Sequence, residues 1–552
     1  MTPEAEQRIA AKRQALAEAI PKEWRLADVP TPESMPNVID FCASQLSAEE
    51  RRITDMPFET LCTHLQSGTL TSRAVVTAFA HRAAVAQQLT SCLTEFLLPS
   101  ALARADELDA HLAKTGTPVG PLHGLPVSLK DLFYVEGGDT TVGFVAWLGE
   151  KATREDEAGV VAMLRKAGAV FYVKTNVPTS MMCAESINNI FGWTRNAHNR
   201  LCSAAGSSGG EGTLLSLRGA PLGVGSDIGG SIRLPASVAG VWGLKVTPGR
   251  FSTDGVRRIL PGQVLVPAVV GPMANSLGAL QVFTQLALAD QPWLRDPSVV
   301  ELPWRPVTLA PKLVLGLLVS DGVVHPQPPI EKALREVAEA MRDAGHEVIE
   351  FTPPDHGQAL ALWLGIMCQT GGEQIHDLIE EGGETLIDEV AEMIGAAKGE
   401  RPAITIAEAY DQAETLHEFR AEYEQAWNET ATQSECGRPM DGLLMPNTGV
   451  VCWKRGGTVY HGYTPVGNVL HYPSVSMPLA TAEPLPKPAR DDFLSSVDEE
   501  AYEAYDPSMV KGMPIGIQLM GRRFQEEKVL AMAQVVEAAV RQRQALQMAA
   551  SL

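Results

Sequence analysis

Apolar positions along residues 5–20 recur at helical spacing and stop before Pro21, which predicts an N-terminal helix lying on the main body. A second helix is predicted over Ser72–Leu89: Thr71 or Ser72 can cap it, and RAVVTAFAHRAAVAQQL is rich in good helix formers. Over 155–176 a helical pattern gives way at Gly168 to the short β-rich run Ala169–Lys174, the grammar of an α/β protein. Residues 203–250 follow a different rhythm. A glycine loop opens a helix at about Gly210–Arg218, and a short strand follows at Leu222–Gly225. A second glycine loop then ends at Ser231, and another helix begins near Pro235. Residues 327–430 are mostly helical and acidic and read as a peripheral layer, whereas 483–506, with EPLPKPAR and many acids, reads as an exposed loop. The end returns to strand then helix, Met513–Leu519 and Gln525–Arg541. With no internal repeat, one large α/β domain is the simplest account.

Composition narrows the partners more than the chemistry. The 552 residues are 45% hydrophobic and 20% charged, ordinary for a soluble globular protein. A net charge of −21 repels nucleic acid and anionic lipid, so no nucleic-acid partner is expected. No apolar run approaches the roughly 18 residues of a membrane span, and the polar start MTPEAEQRIAAKR does not read as a signal peptide. The C-terminal Ala-Ser-Leu lacks the basic middle residue of a peroxisomal address. Eight scattered cysteines form no C-x-x-C pair and no metal-ligand spacing, so free thiols in a reducing compartment, a cytoplasmic location and no metal are expected.

The chemistry concentrates in the two glycine loops and one lysine. Glycines let backbone amides approach a ligand and point the same way, which suits a phosphate or an oxyanion. Neither G-x-x-x-x-G-K-[ST] nor G-x-G-x-x-G occurs here, and each loop instead carries serine beside its glycines. Gly206-Ser207-Ser208-Gly209-Gly210 formally matches the G-x-S-x-G elbow with Ser208 as nucleophile and His461 or His471 as base. Against that, the preceding NRLCSAA is poor in β-formers, where an elbow follows a strong strand. In PLHGLPVSLKDL, Lys130 lies in an otherwise apolar short strand. Buried there, its charged form would be penalised and the neutral amine could act as a base.

PLHGLPVSLKD, GSSGGEG and PLGVGSDIGGSIRLPASVAGVWGLK resemble the lysine and serine motifs of the amidase signature family. The 24 residues from Ser207 to Ser231 match the spacing between that family's two catalytic serines. The likeness is greatest to the acetamidase-type general amidases of fungi and more distant to fatty acid amide hydrolase. It runs from IPKEW near residue 20 through LRKAGAVFYVKTNVP to MPIGIQLMGRR. The resemblance implies a central twisted mixed sheet covered by helices on both faces. In that reading residues 1–60 are a helical extension packed on the core, and 61–545 are the amidase signature domain with its peripheral layer at about 327–430.

Residue by residue, the resemblance implies Ser231 as nucleophile, Ser207 as bridging serine in a cis peptide with Gly206, and Lys130 as base. It implies an oxyanion hole from the amides of Ile228, Gly229, Gly230 and Ser231, and a substrate-lining role for Met181 and Met182. Asp227 and Arg233 either brace the nucleophile loop or form a plain surface ion pair. Ala205 stands where the family has the first glycine of GGSSGG, and Ala197 where it has the proline of Asn-Pro; both bear on loop shape. The implied activity is hydrolysis of a small-molecule carboxamide to carboxylate plus ammonia or amine, without cofactor. An esterase or acyltransferase at the same site, or an amidase-like subunit of an amidotransferase, are the alternatives, and a homodimer stays open. Because adjacent strand residues face opposite ways, Asp131 is expected to look away from Lys130.

Overall fold

The computed structural model describes residues 1–457 and 460–550. Ser551 and Leu552 of the C-terminal Ala-Ser-Leu lie outside the described residues. Among the described residues thirteen strands are formed. They are β1 (Leu93–Phe96), β2 (Pro126–Lys130), β3 (Val170–Thr175), β4 (Ile187–Asn188), β5 (Gly192–Trp193), β6 (Leu222–Asp227) and β7 (Trp242–Lys245), followed by β8 (Val269–Ala274), β9 (Val314–Leu317), β10 (Glu347–Glu350), β11 (Gly442–Pro446), β12 (Ser474–Thr481) and β13 (Pro514–Met520). Eleven build one sheet in the order β1-β3-β2-β6-β8-β7-β12-β13-β11-β9-β10, while β4 and β5 pair separately. The sheet is mixed: β3, β2 and β6 run parallel, as do β11, β9 and β10, and antiparallel pairs join the two groups. Helices flank it, giving one α/β domain.

Most expected elements form. Helix Pro3–Ala19 is capped by Thr2 and held by Arg8 on the Leu148 carbonyl (2.9 Å) and Lys12 on Asp139 (2.9 Å). Helix Ser72–Thr90 is capped by the Thr71 hydroxyl, and its small apolar residues are buried against the sheet. The middle segment folds as helix Gly209–Ser216, strand β6 and helix Arg233–Ala239.

Two segments differ from their sequence reading. Residues 327–430 do more than cover the core, because they supply edge strand β10 and helix His356–Met367, which carries Trp363 to the second glycine loop. The exposed loop expected at 483–506 contains helix Ser496–Glu503. Its Asp498 is buried, accepting from the Leu494 amide (3.0 Å) and the His325 amide (3.1 Å), so acids that look solvated in sequence are partly interior.

Candidate active site

The centre of the site is set by alternation along β2. Val127 and Leu129 feed the apolar core, while Ser128 and Lys130 face the opposite way, toward helix Gly209–Ser216 and the loop before it. Lys130 is fully buried and its Nζ donates to Ser207 Oγ (2.7 Å) and Ser226 Oγ (2.9 Å). Burial pulls its pKa from 10.5 down to about 7, against the upward pull of the Asp227 and Glu211 carboxylates. Asp131 does face away: its Oδ2 accepts from the Thr141 amide (3.1 Å) and hydroxyl (2.6 Å), and its Oδ1 pairs with Lys174 (2.7 Å).

The loop before helix Gly209–Ser216 presents Ser207 to that lysine, and the Gly206–Ser207 peptide is cis. Ala205 takes φ +59°, the left-handed conformation for which the family's glycine is suited. It is held there by Ser203 Oγ on its amide (2.9 Å) and its carbonyl on Ser186 Oγ (2.9 Å). Ser208 is fully buried, its amide donating to the Ser231 carbonyl (3.1 Å), which ties the two glycine loops together. Among the described residues no strand leads directly into it and neither His461 nor His471 is bonded to it: His461 stacks edge-on against Trp363 and His471 meets Arg420 (2.7 Å). The structure therefore lacks the parts of a serine–histidine elbow around Ser208.

The second loop is fixed from outside. Asp227 and Arg233 are both buried, so their pair (3.0 Å) is a brace and not a surface ion pair. Asp227 also accepts from the amides of Gly230 (2.9 Å) and Ile232 (3.1 Å). Although burial alone would raise its pKa, Arg233, Asn468 and Lys245 hold that carboxyl well below the usual range. Arg233 in turn donates to the Thr464 carbonyl (2.8 Å) and Asn468 Oδ1 (2.5 Å). On the outer side, Trp363 Nε1 donates to the Ile228 carbonyl (2.8 Å) and Thr464 Oγ1 to the Gly229 carbonyl (2.7 Å).

Side chains could not fit at the two glycines of this loop. A Cβ on Gly229 would lie 2.4 Å from Trp363, and one on Gly230, at φ +129°, 2.2 Å from Thr464 Oγ1. With its carbonyls held outward, the loop leaves the amides of Ile228, Gly229 and Ser231 without a partner among the described residues. Gly230 departs from expectation, because its amide is engaged by Asp227 and it lines neither neighbouring cavity.

Ser231 lies where two cavities meet, one of about 390 Å³ and one of about 580 Å³. Ile228, Met181 and Met182 also line both, so the two methionines sit at the junction. Ser207 and Ser226 line the first cavity only; Trp363, Met393 and His461 line the second. Sequence reasoning missed Ser226, Glu211, Trp363, Thr464 and Asn468. Glu211 lay inside the GSSGGEG motif; it is fully buried, accepts from Ser128 (2.6 Å) and Thr175 (2.9 Å), and burial raises its pKa to about 7.

This arrangement sets a buried amine behind the Ser207 hydroxyl and places Ser231 and the unpartnered amides around the meeting of the two cavities, the parts of an acyl-transfer site. The amidase family profile matches residues 74–530, and the chain belongs to that family, the amidase signature enzymes. It is an amide-hydrolysing enzyme. The acetamidase of Emericella nidulans is 38% identical over 543 residues, covering 96% of this chain and 97% of that one. The acetamidase of Aspergillus oryzae is 36% identical over 537 residues, covering 95% and 97%. Among solved structures, a fatty acid amide hydrolase superposes with a TM-score of 0.91 at 31% identity, covering 97% of this chain and 95% of that one.

Proposed function

We propose that Ser231 attacks the carbonyl carbon of a carboxamide while Ser207 takes its proton and passes one to Lys130. The negative oxygen of the tetrahedral intermediate accepts from the amides of Ile228, Gly229 and Ser231, each good donor lowering the barrier by about 3 kcal/mol. As the C–N bond breaks, Ser207 protonates the leaving nitrogen and recovers a proton from Lys130, so ammonia or an amine departs and an ester on Ser231 remains. Water then attacks that ester by the same relay, and the net reaction is amide plus water to carboxylic acid plus amine. Met181 and Met182 line the path of the acyl group, where the adaptable thioether side chain suits varied apolar chains. The relatives named for acetamide and for fatty acid amides bracket small and long acyl groups.

The observation that carries this reading is the surroundings of Lys130. Among the described residues its Nζ touches only the Ser207 and Ser226 oxygens and no carboxylate, and burial brings it to a pKa of about 7, where it can both take and give a proton. The test is labelling with a fluorophosphonate followed by peptide mass spectrometry, beside an amide panel read by ammonia or amine release. Label on Ser231, and loss of both label and turnover in Ser231→Ala, is the expected result. Label on Ser208 with turnover surviving in Ser231→Ala would overturn it.

A further inference from the structure

The two cavities that meet at Ser231 carry opposite charge. Among the described residues the carboxyl and guanidinium groups lining the second are Glu185, whose pKa burial raises to about 7, Glu389, which pairs with Arg455 (3.1 Å), and Glu392, Glu500 and Arg401. Among the described residues the first has no carboxylate in its lining and carries Arg258 and Arg523 among otherwise neutral side chains, in a chain whose net charge is −21. His471, also on that wall, is driven neutral, its pKa pushed to about 3 by burial and by the Arg420 and Lys245 cations. Arg420 stands behind it, donating to His471 (2.7 Å) and to the carbonyls of Val469 (2.6 Å) and Leu265 (3.0 Å), with no carboxylate partner among the described residues.

The two lining arginines each belong to an Arg-Arg doublet, and the doublets are divided alike. Arg257 pairs with Glu150 (2.8 Å) and lies over the Trp147 ring at 3.7 Å, and Arg522 pairs with Glu424 (3.1 Å). Their neighbours make no ion pair among the described residues: Arg258 has no hydrogen-bond partner there, and Arg523 only lies over Phe524 (4.7 Å). One arginine of each doublet is held in an ion pair, and the other, exposed and without an ion pair among the described residues, belongs to the lining of the same cavity. A free guanidinium is a fork of donors matched to carboxylate, sulfonate or phosphate oxygens.

Which half of the substrate meets them follows from the proton relay, so the inference rests on the hydrolytic reading above. The leaving nitrogen collects its proton from Ser207, and Ser207 lines the first cavity but not the second. The amine half therefore departs into the arginine-bearing cavity and the acyl half occupies the other. We infer that this enzyme favours amides whose amine portion carries an anionic group, N-acyl amino acids being the simplest class, with Arg258 and Arg523 receiving the anion.

The test uses N-hexanoylglycine and N-hexanoylethanolamine, which share an acyl group and differ in the charge of the amine portion. The quantity read is the ratio of kcat/KM on the glycine conjugate to that on the ethanolamine conjugate. For the intact wild-type chain the ratio should exceed one and fall as salt is added, since exposed charges are screened. In Arg258→Gln/Arg523→Gln it should drop about tenfold. Hydrolysis of the ethanolamine conjugate but not of the glycine conjugate by wild type, or a drop of less than threefold in the double variant, overturns the inference alone. Absence of Ser231-dependent turnover on every amide would overturn the hydrolytic reading and this inference with it.

Discussion

Two lysines lie fully buried on the paired strands β2 and β3, on opposite faces of one sheet and in opposite company. Lys174 sits across from Leu129 in the parallel register and forms an ion pair with Asp131 (2.7 Å), with Thr140 Oγ1 also accepting (2.7 Å). Lys130, one residue before Asp131, points the other way and finds hydroxyls, Ser207 and Ser226. Burial is common to both; the partner is not. A buried ammonium matched to a carboxylate is a structural tie, whereas one given hydroxyls and a carbonyl is pushed toward the neutral amine, the form the proposed relay needs. Alternation along β2 makes both outcomes available from the dipeptide Lys130-Asp131, because it sends the acid to one lysine and withholds it from the other.

The widest separation between the two sites should come from Lys130→Ala, expected to lower kcat/KM on amides at least about 1,000-fold. Esters, whose leaving groups need less protonation, should lose less. Near-normal amide turnover in that variant would erase the functional side of the comparison. Lys174→Met should act on stability instead, leaving Asp131 buried and unpaired at a cost of about 3–5 kcal/mol, measured by urea unfolding. If the folded fraction of that variant lost the wild-type pH profile, the two faces would not be separate.

The profile itself is the third probe. Only neutral Lys130 accepts a proton, so kcat/KM should climb about tenfold per pH unit below 7 and flatten above it, the acid limb reporting a pKa of about 7. A flat response from pH 5 to 8 would assign the base elsewhere. The smallest effect is expected from Glu211→Gln. Glu211 raises the lysine's pKa, so its loss should move the limb to lower pH. A limb moving to higher pH would mean that the carboxylate does not act on the lysine through its charge.

How much of this was legible before the structure depends on range. Helix Ser72–Thr90 and the order helix Gly209–Ser216, β6, second loop follow from caps, glycines and short-range periodicity, and Lys130, Ser207 and Ser231 stand in short runs whose family resemblance is local. Alternation alone foretold that Asp131 leaves Lys130. The outer brace was not legible, because Trp363 and Thr464 meet the Ile228 and Gly229 carbonyls across 135 and 235 residues of chain with nothing local to mark them. Asp498 misled in the same way, since the His325 side that buries it lies 173 residues off and its own neighbours are acidic and proline-rich. Gly230 fits the pattern of an oxyanion donor, and only the position of the Asp227 carboxylate removes it.

The brace on the second loop also sets a timetable for synthesis. Arg233 reaches the Thr464 carbonyl, Asn468 and Gln518 Oε1, the last 285 residues farther along the chain. At roughly 5–20 residues per second, a ribosome that has made the nucleophile loop needs roughly 15–60 seconds more to make the residue that completes its support. Through that interval the loop that ends at Ser231 lacks part of its support, so a nascent or prematurely ended chain carries the serine proposed as nucleophile without the contacts that hold it. The support of this loop is complete only when nearly the whole domain has been made.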